Sequence, residues 1–218
     1  MKIIRFQLKR FLVVCVLGCL IIIAQLFWRK QSISNCLLPP EVLGKYEDFL
    51  HFIQKPLISL NITYFLCYNT LWGVLKFKGP LPWHDSVELC TLNTEILPVH
   101  DTLYSVFEKY KIYISYNPAG GFYTMLPHGE NFPSGTLTIF IKDPITGQLI
   151  RNGWIHRMFP PTSCEKLHCF PPNLIKKPLP IVKFGRYTVP SPREGIEIQK
   201  YLYPSSWWQE ITPPNCRD

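Results

Sequence analysis

One apolar segment near the N-terminus constrains this chain more than any other feature. Residues 11–28 contain 18 residues with no charged side chain and a single amide, Gln25. A helix of that length rises about 27 Å, close to the thickness of one hydrocarbon core. A cleaved signal peptide is the competing interpretation, but the run is long for a signal core and no small-residue cleavage site follows it. We therefore predict one uncleaved transmembrane anchor at 11–28.

The charges that flank this segment predict its direction. Four basic residues precede the apolar run, and Arg29 and Lys30 follow it. The positive-inside rule then places the N-terminus in the cytosol and the rest of the chain on the far side of the membrane. We predict a type II protein with a cytoplasmic tail at 1–10, a stem at 29–40 and a folded domain at 41–218.

The net charge of +8 suggests nucleic-acid binding only until its distribution is considered. The six basic residues around the apolar run account for most of it, leaving 17 basic and 15 acidic residues in the remainder of the chain. A nearly neutral domain has no basic stripe large enough to neutralise many phosphates. The composition therefore argues against a nucleic-acid partner.

Two features are typical of a lumenal or extracellular domain. Asn61-Ile62-Thr63 is an acceptor triplet for N-glycosylation. Outside the anchor there is an even set of six cysteines, which suits disulfide bonds in an oxidising compartment. Their pairing stays open, because six cysteines allow 15 connectivities. The candidates are Cys36, Cys67, Cys90, Cys164, Cys169 and Cys216. Cys164 and Cys169, with His168, also resemble half of a zinc site, but a zinc site needs a second close pair.

The folded part shows helical patterns first and strand patterns later. The spacing predicts a helix over 42–53 that Pro56 ends, an apolar helix within 60–76, and a helix over 103–110 capped by Asp101. Strands are predicted near 87–89, 112–116, 122–126, 137–141 and 149–155, and a last helix near 193–202. This order indicates a mixed α/β (α+β) domain.

The segment 69–89 carries the most functional information, and it reads NTLWGVLKFKGPLPWHDSVEL. It resembles the signature of the LicD/fukutin family, a G-T-L-L-G stretch followed by an Arg and then G-F-I-P-W-D-D-D-I-D-L. Lys76 stands where the family has the Arg. The positions that match without a gap are Thr70, Leu71, Gly73, Gly79, Pro82, Trp83, Asp85 and Leu89. A second resemblance near the C-terminus consists of Phe184-Gly185, Val189-Pro190, Tyr203 and Trp207.

This resemblance implies a nucleotidyltransferase-like domain that transfers a phosphate-linked group, such as phosphocholine or ribitol phosphate. The donor would be a CDP-alcohol, the acceptor a glycan, and the compartment the Golgi or endoplasmic reticulum. Such chemistry uses Mg²⁺ or Mn²⁺ held by carboxylates. The family's motif assigns catalysis and metal binding to Asp85 and Glu88. It assigns nucleotide binding to Asn69, Thr70, Gly73 and Lys76.

The chain departs from the family at the acids themselves. Where the family has paired acids two residues apart, this sequence has Ser86 and Glu88, and a later family acid aligns with Thr138. Ser is a poor ligand for Mg²⁺ compared with carboxylate. The alternative hypothesis is therefore a catalytically degenerate member that binds a glycan or a partner enzyme at the membrane. The transferase hypothesis requires a second acid close to Glu88, and the candidates are Asp101, Glu130 and Asp143.

Overall fold

The structure is a computed structural model that describes residues 15–23, 25, 37–129, 133–158 and 164–209. Residues 15–23 and 25 are helical. Within the described ranges no helix is both long and apolar enough to cross a membrane. The predicted anchor at 11–28 extends beyond those ranges, so it stays a prediction. Leu38–Glu210 form one of two compact units of the chain, and this unit is the folded domain.

The described part of the domain contains helices and strands, with four strands in succession between residues 112 and 151. The helices are α1 (Pro40–Ser59), α2 (Tyr68–Phe77), α3 (Asn93–Ile96), α4 (His100–Lys109), α5 (Trp154–Met158), α6 (Cys164–Leu167) and α7 (Gly195–Leu202), with short 3₁₀ turns at Leu97–Val99 and Pro172–Ile175. The strands are β1 (Tyr64–Leu66), β2 (Ser86–Leu92), β3 (Ile112–Asn117), β4 (Phe122–Pro127), β5 (Ser134–Lys142), β6 (Leu149–Arg151), β7 (Ile181–Phe184) and β8 (Tyr187–Pro190).

One mixed sheet organises the domain. Its strands follow the order β1-β2-β5-β4-β3, and β6 pairs with the end of β5. The central β2 and β5 run parallel, whereas the other pairs are antiparallel. The strands β7 and β8 form a separate hairpin. This architecture confirms the prediction of a mixed α/β domain.

The two faces of the sheet differ in composition. Side chains alternate between faces along a strand, and residues paired across strands share a face. Val87, Leu89, Leu137 and Ile139 lie on one face and are at most 2% exposed. We call this the core face. Phe49 of α1 reaches it beside Gly135, and the buried Leu103 and Phe107 of α4 join the same hydrophobic cluster.

The helix α1 continues past Pro56, so the prediction that this proline ends it was wrong. A proline inside a helix removes one backbone hydrogen bond. Here the helix closes one turn later, at Ser59, and Leu60 donates its N–H to the Pro56 carbonyl oxygen at 3.1 Å. Leu57 in that last turn is completely buried, and burial of a leucine contributes about 1.5–3 kcal/mol, which offsets the missing bond.

Three further predictions of secondary structure need correction. The apolar stretch 60–76 is not one helix, because Tyr64–Leu66 pair as an edge strand with β2 before α2 begins. The last predicted strand ends at Arg151, and a helix follows at Trp154. Asp101 lies inside the first turn of α4 and is not its N-cap, since that position is Val99, whose side chain caps no N–H group. The other predicted strands are confirmed within a few residues.

Candidate functional site

The face of the sheet opposite the core face carries a row of polar side chains. Ser86, Glu88 and Cys90 alternate along β2 and pair in register with Ser134, Thr136 and Thr138 of β5. We call this surface the polar face. It lies on the same two parallel strands that build the core, so the segment singled out in the sequence enters the centre of the sheet. The predicted strand therefore places Glu88, the aligned acid of the motif, in the middle of the domain.

Glu88 interacts with the N-terminus of α2. The backbone N–H of Asn69 donates to Glu88 Oε2 at 2.7 Å, and the backbone N–H of Glu88 donates to Thr70 Oγ1 at 2.7 Å. The first N–H groups of a helix have no partner within the helix, and a carboxylate there also faces the positive end of the helix dipole. Glu88 thus caps α2, a structural role that accounts for a buried carboxylate without any ligand.

A disulfide bond holds the same junction together. Cys67, at the N-cap position of α2, is bonded to Cys90 of β2, with a Cα–Cα distance of 5.9 Å. Cys90 lies on the polar face two residues after Glu88. The bond therefore fixes the first turn of α2 against the strand that carries Glu88.

Burial changes the acidity of the Glu88 carboxyl group. Its side chain is 19% exposed, and burial raises its pKa from 4.5 to about 7, against the opposing hydrogen bonds of Asn69 and Thr70 and the charge of Arg151. A buried carboxylate loses hydration that only part of this network replaces. Near neutral pH the group exchanges a proton readily, as a general acid or base must.

His84 and Ser86 extend the polar face toward the surface. Ser86 Oγ lies 2.9 Å from His84 Nε2, and Glu88 Oε2 lies 3.7 Å from the same nitrogen. Burial lowers the pKa of His84, although the charge of Asp85 opposes this. Since one nitrogen faces both groups, the imidazole cannot pass a proton from Ser86 through its second nitrogen to Glu88. This arrangement is not a Ser-His-acid triad.

The structure does not bring Asp85 into this network. Asp85 is exposed in the turn before β2, which begins at Ser86. Its charge acts on His84 and raises the pKa of Tyr46, whose burial has the larger effect. The groups that act on Glu88 are Asn69, Thr70 and Arg151. The proposed joint metal-binding and catalytic role of Asp85 and Glu88 therefore has no shared contact to support it.

The residues proposed for nucleotide binding occupy different environments. Asn69 and Thr70 contact Glu88, as described above. Gly73 is buried inside α2, where a Cβ atom would collide with the Gly79 carbonyl oxygen of the following turn. Close packing of that turn therefore accounts for the glycine. Lys76 is exposed in the last turn of α2, outside the contacts around Glu88.

No second acid that the structure describes stands beside Glu88. Asp101 has a fully exposed side chain next to His100. Asp143 is exposed in the β5–β6 turn, where hydrogen bonds from Thr146 and Ile145 lower its pKa. Glu130 lies outside the described residues. In the described ranges no group of three or more His, Cys, Asp or Glu side chains is arranged to hold a metal ion.

The residues around Glu88 do not fit a Mg²⁺ or Mn²⁺ site of the type that the family resemblance implies. Such ions are held by carboxylates. Here one carboxylate oxygen is already bonded to the helix α2, and the aligned neighbours are hydroxyl groups. Ser86 contacts His84, and the 2% exposed Thr138 is hydrogen-bonded to Tyr68. The donor set contains one acid where two or three are needed.

Several residues that sequence reasoning missed complete the polar face. Tyr68 begins α2, and its hydroxyl lies 2.9 Å from His168 Nδ1. Arg151 of β6 pairs with Phe140 of β5, and its charge acts on Glu88, Tyr68 and Tyr203. These residues come from segments far apart in the chain. Only the register of the sheet brings them together, so no local pattern could have identified them.

The structure also distinguishes a disulfide bond from half a zinc site at Cys164 and Cys169. Cys164 is bonded to Cys169, which agrees with the favoured interpretation of these cysteines as disulfide-forming residues and not with half a zinc site. Both sulfurs are consumed by the bond, and His168 contacts Tyr68 instead. Cys36 and Cys216 lie outside the described residues.

No curated protein matches the chain. Among solved structures, the crystal structure of the lincosamide antibiotic adenylyltransferase LnuA with bound lincomycin is similar, at 12% identity and a TM-score of 0.45, covering 78% of this chain and 90% of that one. The model of the LicD/FKTN/FKRP nucleotidyltransferase domain matches residues 61–194. This match covers more than half of the sequence and includes β2, α2 and the polar face, and the chain therefore belongs to the LicD/FKTN/FKRP nucleotidyltransferase-domain family.

Proposed function

We propose that this protein is a catalytically degenerate family member: a single-pass type II membrane protein that binds a glycan or a partner enzyme in the lumen of the Golgi or endoplasmic reticulum. The observation that carries this proposal is that Glu88 has no acidic neighbour on its strand and is already hydrogen-bonded. It is the one acid on the polar face of β2, and it is bonded to the N-terminus of α2. Family transferases need a divalent ion held by several acids, and this face offers hydroxyl groups in their place.

The retained core is consistent with a binding role. The core face of β2 and β5 is completely packed, so loss of acids on the polar face has not required loss of the fold. Replacing a cluster of partly buried carboxylates by Ser86 and Thr138 removes like charges that repel one another. A domain freed from catalysis can keep its surface for recognition while its acids change.

The position of Asn61 supports a lumenal domain. Asn61 is exposed, and it directly follows α1 in a turn where its N–H donates to the Ile58 carbonyl oxygen. An enzyme that adds glycans could reach such a turn. If the protein is expressed in mammalian cells, removal of N-glycans should change the mobility of wild type and leave Asn61→Gln unchanged. An unchanged wild type would count against lumenal exposure of this residue.

A second function is favoured by the environment of Glu88, which is mostly buried beside the N-terminus of α2, where burial raises its pKa to about 7. A group that is half ionised near neutral pH is suited to take a proton from an acceptor hydroxyl. The second candidate is therefore the transferase itself, moving phosphocholine or ribitol phosphate from a CDP-alcohol to a glycan.

Calorimetric titration separates the two functions. The full-length protein in nanodiscs would be titrated with CDP and CDP-alcohols, with and without Mg²⁺ or Mn²⁺, and CMP release would be followed in parallel. The binding proposal predicts no metal-dependent affinity and no CMP release. Metal-dependent binding with CMP release, abolished in Glu88→Gln and preserved in the control Glu197→Gln on α7, would contradict it and establish the transferase.

A further inference from the structure

Arg151 is a cation whose backbone lies beside the polar face. Arg151 ends β6 and pairs with Phe140, which lies two residues beyond Thr138 on β5. Alternate residues of a strand share a face, so Arg151, Phe140 and Thr138 lie on the polar face together. The arginine therefore belongs to the same surface as Glu88 and Ser86.

The charge of Arg151 acts on three groups around the polar face. Burial raises the pKa of Glu88, Tyr68 and Tyr203, and in each case the charge of Arg151 opposes burial. These three groups come from a strand and two helical segments of the domain. This agrees with the strand register, which places Arg151 on the polar face.

Backbone and ring contacts hold this cation in place. Arg151 Nε donates to the Gly120 carbonyl oxygen at 2.5 Å, and the guanidinium carbon lies 5.3 Å from the centre of the Phe122 ring. A planar guanidinium group has five N–H donors, and the contact to Gly120 uses the one on Nε. The other four are on the terminal nitrogens, the pair that matches two oxygens of a phosphate.

The remaining side chains supply neutral donors instead of further acids. Ser86, Thr136 and Tyr203 are half-buried on or above the same face, and each has a hydroxyl group. With one carboxyl group, partly protonated near neutral pH, and one guanidinium group, this surface has no excess of negative charge without a metal ion. A surface with several acids needs a divalent cation before an anion can approach, whereas this surface does not.

We propose that the polar face binds a phosphate group, as a phosphomonoester or a diphosphate, without a divalent cation and with Arg151 as its charge partner. This inference rests on the proposed binding function, since it names the ligand class that the degenerate site would recognise. The same chemistry could come from a phosphorylated glycan or from a nucleotide diphosphate. The experiment distinguishes these two sources.

The test is a calorimetric titration of the full-length protein in nanodiscs with inorganic pyrophosphate in the presence of EDTA. Two further titrations use CDP and glucose 1-phosphate under the same conditions. We expect pyrophosphate to bind without metal. Stronger binding of CDP would indicate a nucleotide ligand, and stronger binding of glucose 1-phosphate a glycan phosphate.

The matched variants are Arg151→Gln and Arg193→Gln. Arg193 also donates through Nε to a backbone carbonyl oxygen, that of Lys176 at 2.8 Å, but it is exposed away from the polar face. Loss of a charge-assisted bond to phosphate should weaken pyrophosphate binding about 10- to 100-fold in Arg151→Gln. Arg193→Gln should bind pyrophosphate with the affinity of wild type. Arg151→Lys keeps the charge, so its affinity should lie between those of wild type and Arg151→Gln. A near-ultraviolet circular dichroism spectrum checks that each variant is folded.

The outcomes separate this inference from the proposed function. If pyrophosphate binds only with Mg²⁺, or if folded Arg151→Gln binds as tightly as wild type, the phosphate site is overturned while a glycan- or enzyme-binding protein still stands. CMP release from a CDP-alcohol would instead overturn the proposed function. Should Arg151→Gln fail to fold, wild-type binding that does not weaken between low and high NaCl would also contradict a charge-based site.

Discussion

The two faces of β2 and β5 are built by the same strands but differ in what their residues do. On the core face, Val87, Leu89, Leu137 and Ile139 are at most 2% exposed and apolar. On the polar face, the alternating residues are Ser86, Glu88, Cys90, Ser134, Thr136 and Thr138. The core face is fully buried, whereas on the polar face Ser86, Glu88 and Thr136 are half-buried and only Cys90 and Thr138 are buried.

The difference shows how substitutions can be confined to one face of a sheet. A strand has a period of two, so substitutions at every second residue can change one face without touching the other. In this chain the core face stays buried and mostly apolar, with Thr91 bonded to the Thr63 carbonyl oxygen as a satisfied polar residue. The polar face has hydroxyl groups at two positions that are acidic in the motif it resembles. The fold and the metal site are thus separable within seven residues of β2.

The largest expected effect lies on the core face. Leu137→Ala should lower the free energy of unfolding by about 2–5 kcal/mol, because the side chain is completely buried and its removal leaves a cavity. Thr136→Ala, the neighbouring residue on the polar face, should change it by less than about 0.5 kcal/mol. Urea denaturation measures both values. Equal losses in the two variants would show that the faces do not differ in this way.

The disulfide bond that joins the start of α2 to β2 should have the next largest effect on stability. It links Cys67 to Cys90 across a separation of 23 residues, and a loop of that size corresponds to about 3 kcal/mol of restricted chain entropy in the unfolded state. The double variant Cys67→Ser, Cys90→Ser should unfold at correspondingly lower urea concentration. Adding reductant to the variant should then have no further effect at this bond. A variant as stable as wild type would indicate that α2 is held against β2 by Glu88 and Thr70 alone.

Glu88 gives stability a dependence on pH. Its folded-state pKa of about 7 lies above its ordinary value of 4.5, so its contribution is fully present below about pH 4.5 and is lost as pH rises through 7. The free energy of unfolding should fall by about 2 kcal/mol over this pH range, after allowance for the partial exposure of the Glu88 side chain. Glu88→Gln, which keeps an oxygen for the Asn69 N–H, should remove this dependence. The control Glu197→Gln should retain it.

The pH dependence of Glu88 also tests the helix-capping account. Denaturation of wild type and Glu88→Gln at pH 5 and pH 8 gives the comparison directly. If the free energy of unfolding of wild type, measured relative to Glu88→Gln, increases from pH 5 to pH 8, the folded protein favours the ionised carboxylate. The capping bond would then outweigh the effect of burial.

The smallest expected effect marks the boundary of the polar face. Lys76 is exposed in the last turn of α2, although the family motif assigns it to nucleotide binding. Lys76→Ala should change pyrophosphate affinity by less than about twofold, since a solvated charge contributes little. A loss comparable to that of Arg151→Gln would extend the site to the far end of α2.

Much of the fold could be predicted from the sequence because it depends on local patterns. The alternation in 112–116, 122–126 and 137–141 marked three strands correctly. Pro56 was misread because burial of Leu57 outweighs a local helix-breaking rule. The edge strand at Tyr64–Leu66 was missed since a short, fully buried strand and a buried helix give the same apolar run.

The site was predictable only in part. The motif identified Glu88 and the missing acids at Ser86 and Thr138, because these are properties of single aligned positions. The cap on α2 and the approach of Arg151 depend on the register between strands that are far apart in sequence. Pairing of this kind is decided by the packing of the whole sheet, and no spacing within one segment reports it.

We propose that this domain has kept the family fold while its polar face does not hold a divalent metal ion. Electron paramagnetic resonance of Mn²⁺ titrated into the full-length protein tests it most directly, with Glu88→Gln as the comparison. The account predicts that Mn²⁺ remains free in wild type and in Glu88→Gln alike, at concentrations that saturate carboxylate-based sites. Stoichiometric binding of Mn²⁺ to wild type that is lost in Glu88→Gln would contradict it.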